Sequence, residues 1–223
     1  MHCREYSERA VKAEYHQTIR AGVLLALAAL IGTFVLSAAE HHSAPYIEAN
    51  QRQALLDNLS MVVPSDGFDN DILGDVLELS DPELLGMPTA TRIYRARQQG
   101  HIRYIAFEII APDGYSGQIR LLMGVRADGA TSGVRVLSHR ETPGLGDAIE
   151  ARRSNWILGF DGKSLFNPGA NGWAVRKDGG EFDQFTGATI TPRAVVKAVH
   201  NGLLFVERHR SELFADGETT SKG

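Results

Sequence analysis

The chain has 223 residues, 43% of them hydrophobic and 22% charged, which is enough for one ordinary globular domain with additional segments. Its formal charge of −4 argues against nucleic-acid binding as the main role, because a phosphate-binding surface needs a basic excess. One cysteine, Cys3, excludes an internal disulfide, a Cys-based zinc site and a Cys-ligated iron–sulfur cluster, so any redox role needs an organic cofactor or metal ligands other than Cys.

In chain order, residues 1–20 form a short leader with four basic residues: Arg4, Arg9, Lys12 and Arg20. Residues 21–39 then run without a charge, AGVLLALAALIGTFVLSAA, close to the ~20 residues that cross a ~30 Å hydrocarbon core as a helix. A cleaved signal peptide is the alternative, with small residues at Ser37-Ala38-Ala39. The run exceeds the roughly 7–15 residues of a signal h-region, so it reads as a retained anchor. Only Arg52 is basic between 40 and 91, and the positive-inside rule puts the leader in the cytoplasm and the remainder across the membrane. In a Gram-negative cell this is a single-pass inner-membrane protein with a periplasmic main domain.

Residues 40–90 read as an acidic helical connector, with helices expected over Pro45–Leu59 and Asn70–Leu79. From Thr91 the pattern turns to β. Strands are expected over Arg92–Ala96, Ile102–Ile110, Ile119–Arg126 and Gly133–Ser138, with turns at Ala111-Pro112-Asp113-Gly114 and Asp128-Gly129. A hairpin is expected around Trp173-Ala174-Val175. The clearest helix runs from Pro192 to Arg208, with Thr191 as its cap and Val195, Val199, Leu203 and Val206 on one face. Residues 91–215 thus form an α+β domain, antiparallel strands followed by helices, and 216–223 a flexible tail.

Several motifs fail on their own chemistry. Gly162-Lys163-Ser164 resembles a P-loop end, but Ile157 stands where the motif requires Gly. Gly144-Leu145-Gly146 lacks the third Gly of a dinucleotide fingerprint, where Ile149 stands. His41-His42 has no further spaced ligands, and no metal site is expected. Nothing fixes Glu108 and Glu141 as an acid/base pair. Trp156 and Trp173 read as core or pocket-wall residues.

The run Asp183-Gln184-Phe185-Thr186-Gly187-Ala188-Thr189-Ile190-Thr191 is different. Small residues surround Thr189, so a bulky group can reach its hydroxyl, and the free N–H groups of the following helix start favour a phosphate. A plain Gly-Ala turn with an N-cap has the same residues.

Asp183, Thr186, Gly187, Ala188, Thr189 and Thr191 match every fixed position of the pattern modified by a periplasmic flavin transferase, which joins FMN through its phosphate to the Thr of Gly-Ala-Thr. Gly114-Tyr115-Ser116-Gly117-Gln118-Ile119 with Met123-Gly124, and Ser138-His139-Arg140-Glu141-Thr142-Pro143-Gly144-Leu145-Gly146, also resemble this FMN-binding domain. With the anchor, residues 15–210 resemble the G subunits of the Rnf electron-transport complex. The related C subunits of sodium-pumping NADH:quinone reductases share the motifs on a usually longer chain.

The resemblance implies covalent FMN on Thr189 within the segment carrying Asp183, Thr186, Gly187 and Ala188. It places Glu141, Thr142, Pro143, Gly144 and Leu145 against the isoalloxazine, with Tyr115 and Gly117 closing the other side. It implies an electron carrier in a complex that couples ferredoxin/NAD redox chemistry to ion translocation. Its partners would be the other subunits, the flavin transferase and membrane lipid, not nucleic acid. The isolated chain would carry electrons without substrate chemistry and without a catalytic residue. Alternatives are an FMN-bearing membrane reductase or redox sensor outside such a complex, and a non-redox assembly module.

Overall fold

The computed structural model describes residues 25–27, 29–37, 40 and 50–215. The chain divides into two units, Met1–Ala54 and Leu55–Gly223. In the first, residues 29–37 are helical, and Phe34, Leu36 and Leu30 are at least 70% exposed. Among the described residues no helix is long and apolar enough to cross a membrane. Part of the expected span 21–39, and all of the expected leader 1–20 and tail 216–223, lie outside the described residues.

The second unit is built on five antiparallel strands in simple chain order: β1 (Val76–Leu79), β2 (Thr91–Gln98), β3 (His101–Ala111), β4 (Ile119–Arg126) and β5 (Thr131–Ser138). Each pairs with its sequence neighbour, with Ile93 opposite Phe107, Phe107 opposite Met123 and Met123 opposite Val134. The β4–β5 turn closes as Asp128-Gly129 predicts: Asp128 Oδ1 accepts from Ala130 N–H at 3.0 Å, and Gly129 takes φ +88°.

Both faces of the sheet are covered. Ile105, Phe107, Ile109, Leu121 and Met123 point to one side, beneath the helix α2 (Ile190–Arg208) that brings Val195, Val199, Leu203, Phe205 and Val206. The alternate residues Ala106, Leu122 and Tyr94 meet Leu59, Val62, Val63 and Ile72 on the other side. Period-two alternation is therefore masked, and β4 reads as a continuous apolar run because each of its faces is buried. A Cβ at Gly202 would fall 2.7 Å from Met123 Sδ, so the small residue lets α2 approach the sheet closely. At the far end of α2, Asp81 accepts from Arg208 at 2.8 Å while its other oxygen caps α1 (Pro82–Leu85) at Leu84 N–H.

Three elements differ from expectation. Residues 50–60 are helical, but the helix expected at Asn70–Leu79 is a turn followed by β1. Asn70 spends both ends of its amide on β2, accepting from Arg97 N–H and donating to the Arg95 carbonyl, while Asp75 pairs with Arg95 and Arg97. Side chains used this way favour turns over helix. The hairpin expected near Trp173 is instead two 3₁₀ turns, Ala170–Gly172 and Arg176–Asp178, with a single parallel bridge from Val175, between them, to Phe182, after them. Lastly, α2 begins at Ile190 with Thr189 in the cap position, and Thr191 lies inside the first turn. The Thr191 hydroxyl does not cap the helix, because it donates to Glu141 instead.

Candidate functional site

The segment before α2 is a tight turn. Ala188 N–H donates to the Phe185 carbonyl at 3.1 Å, and Gly187 between them takes φ +82°, a left-handed conformation that favours glycine. Two anchors hold this turn to the domain. Trp156 Nε1 donates to the Asp183 carbonyl at 2.8 Å, and the Trp156 ring meets Phe185 edge-on at 5.1 Å. The exposed Asp183 carboxylate pairs with Arg176 at 3.1 Å.

The three threonines of the segment have different fates. Thr191 is 1% exposed and its hydroxyl is engaged. Thr186 is exposed, on the outside of the turn. Thr189 is half-buried, its hydroxyl makes no capping bond, and it faces a cavity. Behind it the N–H groups of Ile190 and Thr191 open α2 without intrahelical acceptors, leaving the positive end of the helix dipole there.

The turn after β5 forms the opposite wall. The Thr142 carbonyl accepts from Leu145 N–H at 3.1 Å and Gly146 N–H at 3.0 Å, and Gly144 N–H donates to Asp147 Oδ1 at 2.8 Å. This fixes the turn and turns the Leu145 side chain out, 43% exposed, towards Gly187. Glu141, at the root of the turn, is 4% exposed. Its Oε1 accepts from Ser116 N–H at 3.0 Å and its Oε2 from the Thr191 hydroxyl.

Between these walls lies a cavity of about 290 Å³ lined by Tyr115, Thr142, Leu145, Ala188, Thr189 and Ile190, with Glu141, Gly146, Gly187 and Thr191 completing it. The volume matches the lower end of ligand pockets, roughly 300–1,000 Å³. Apolar Leu145, Ile190 and the Tyr115 ring suit a flat aromatic group, while the Thr189 hydroxyl and helix start suit a phosphate. The residues present therefore fit a flavin mononucleotide.

A neighbouring cavity of about 340 Å³ lies across the Glu141–Asp147 turn and is lined by charged groups. There His139 Nε2 lies 2.8 Å from Glu150, and His139 Nδ1 accepts from Glu141 N–H at 3.0 Å. A backbone N–H can only donate, so His139 is the Nε2–H tautomer donating to Glu150. Hydrogen bonds from Arg152 and from His139 hold the Glu150 carboxyl down to about 2. With its charged groups paired to one another, and with Thr189 and the start of α2 outside its lining, this cavity is the weaker match to a flavin.

Of the residues expected at the site, Tyr115, Glu141, Thr142, Leu145, Gly187, Ala188 and Thr189 line one cavity. Asp183, Thr186, Pro143, Gly144 and Gly117 do not line it. Asp183 and Gly144 shape its turns, and Pro143 faces the neighbouring cavity. Ile190, Gly146 and Thr191 line it and were not expected there. A fixed Ser/Thr two residues after Thr189 was the available signal for Thr191. Trp156 is a clamp on the turn before α2, a role that a lone tryptophan in a sequence does not reveal.

Fold and cavity together define a flavin-carrying domain: residues 114–204 match the family model described as FMN-binding domain. The chain is also 46% identical over 200 residues to the G subunit of the ion-translocating oxidoreductase complex of Pseudomonas aeruginosa, covering 90% of this chain and 94% of that protein. It is 48% identical over 194 residues to the protein of the same name from Cereibacter sphaeroides, covering 87% and 86%. The counterpart from Aliivibrio fischeri is 45% identical, covering 87% and 92%. The chain belongs to the family of G subunits of ion-translocating oxidoreductase complexes.

Proposed function

We propose that this chain is the flavoprotein subunit of an Rnf-type complex, carrying FMN as a phosphoester on Thr189 and relaying electrons within the assembly. The observation that carries this reading is Thr189, which lines a 290 Å³ cavity at a helix start with its hydroxyl making no capping bond, while Thr191 is buried and bonded. Forming the ester joins Thr189 Oγ to phosphorus, releases the hydroxyl proton and expels a leaving group. A flavin transferase using FAD would transfer the FMN moiety and release AMP. The diester retains one negative charge, which the N–H groups of Ile190 and Thr191 stabilise. Thr142 and Leu145 orient the ring, with Tyr115 at the opposite rim. When bound, the flavin supplies the electron chemistry; the chain binds and orients it.

The same reading makes residues 21–39 a membrane tether, with the leader cytoplasmic and 40–223 periplasmic. The exposed apolar side chains of residues 30–36 and the four basic residues before the span support it. The remaining complex subunits and lipid are then its partners. The isolated chain should accept electrons from dithionite and remain inert to NADH.

Peptide mass spectrometry on protein from its own host tests the proposal. The peptide containing Thr189 should gain FMN less water. Thr189→Val should abolish in-gel flavin fluorescence, while Thr186→Val should retain it. An unmodified Thr189 peptide in the presence of the transferase would overturn the reading. A periplasm-specific reporter fused at residue 215 should be active; activity of a cytoplasm-specific reporter there would overturn the topology.

A further inference from the structure

Two walls of the cavity hang on one carboxylate. Glu141 lies at the root of one turn, Ser116 in the β3–β4 loop, and Thr191 in the first turn of α2. These segments are distant in sequence and meet at the two oxygens of Glu141. The side chain is 4% exposed, and polar oxygens buried this deeply cost stability unless hydrogen-bonded, as both are here. The surroundings are built to its shape. A Cβ at Gly146 would fall 2.8 Å from Glu141 Cβ, and one at Gly114 would fall 3.0 Å from Oε1. An ion pair of Asp113 with Lys197 also links the loop to α2, but both side chains are at least 60% exposed and solvent screens the pair.

We infer that Glu141 is a positioning residue: its carboxylate fixes the Thr189 end of α2 against the Tyr115–Ser116 wall, setting where the acceptor hydroxyl and the ring lie. It does this by tying protein to protein, with each oxygen already committed, and not by contacting the ring. The inference rests on the flavin site proposed above.

Hydrogen-bond chemistry gives an ordered set of variants. Ser116 N–H can only donate, so it requires an oxygen at position 141. The Thr191 hydroxyl can donate or accept. Glu141→Gln satisfies both, with its amide oxygen on Ser116 and its NH₂ on a rotated Thr191 hydroxyl. Glu141→Asp is one methylene short of spanning both partners. Thr191→Val cuts one arm at nearly constant volume, whereas Thr191→Ser keeps the hydroxyl.

The test uses the full chain in detergent, the flavin transferase and FAD. It measures the rate of flavin attachment and the fluorescence anisotropy of the attached flavin, with folding checked by circular dichroism. Glu141→Gln and Thr191→Ser should attach flavin within about twofold of the unaltered chain. Thr191→Val and Glu141→Asp should fall about tenfold or more and hold the flavin with lower anisotropy, as expected when a buried bond is lost. If Glu141→Asp fails to fold, Thr191→Val decides alone. Folded Thr191→Val with an unaltered rate and anisotropy overturns the inference and leaves the flavin site standing. If the unaltered chain takes no flavin at Thr189, the site reading and this inference fall together.

Discussion

Replacing Trp156 by Phe separates the stability of the turn before Thr189 from that of the whole domain. The indole N–H donates to the Asp183 carbonyl at 2.8 Å, and the ring meets Phe185 at 5.1 Å and Phe160 at 5.3 Å, both edge-on. Phenylalanine keeps much of the ring contact and removes the donor. A typical net hydrogen bond contributes about 0.5–1.5 kcal/mol, and water can reach Asp183, so the lower half of that range applies here. With the small part of the edge contact that is lost, itself worth about 0.5–1.5 kcal/mol when whole, the turn should lose about 0.5–1.5 kcal/mol. That raises the open population of the turn roughly 2- to 12-fold. Hydrogen exchange at Ala188 N–H, bonded within the turn, should accelerate by that factor. Exchange at Val199 in the middle of α2, which reports the buried core, should change far less. Equal acceleration at Ala188 and Val199 would show Trp156 to be an ordinary core residue, and no acceleration at Ala188 would show that the turn holds itself.

Gly202→Val should destabilise the domain by about 1–3 kcal/mol, since its Cβ would meet Met123 Sδ at 2.7 Å; pairing it with Met123→Ala should recover part of the loss in a thermal-melt double-mutant cycle. Phe107→Ala, removing a fully buried ring 5.5 Å from Phe205, should cost about 3–5 kcal/mol by urea denaturation. Glu150 has its folded value depressed from 4.5 to about 2, so its stabilisation is complete above about pH 4.5 and is lost as pH falls towards 2. Glu150→Gln should therefore flatten the stability profile across that window, and an unchanged slope would refute the His139–Glu150–Arg152 network.

The strands from Thr91 onward were legible because turn chemistry brackets them: Pro112, Asp113 and Gly114 on one side, Asp128 and Gly129 on the other. The long helix was legible from its apolar spacing, but its start was misplaced. Thr191 has the chemistry of a cap, and only a partner fifty positions away, Glu141, diverts its hydroxyl. β1 escaped notice for a related reason. Its acidic neighbours read as solvated until Arg95 and Arg97 on the adjoining strand pair with Asp75. At the site, the turn before Thr189 and its facing loop were readable as motifs. The tie between them was not, because hydrogen bonds joining distant segments leave no local periodicity.

The order of the sheet bears on when the proposed acceptor, Thr189, is assembled. Each strand pairs with the one before it, so the sheet can be assembled from short-range closures as the chain emerges. Thr189 stands after all five strands, at the start of the helix that closes the buried face. A chain halted before residue 190 would leave Phe107 and Met123 open to water and would lack one wall of the cavity. The attachment proposed at Thr189 would then mark molecules in which α2 has been made to cover that face.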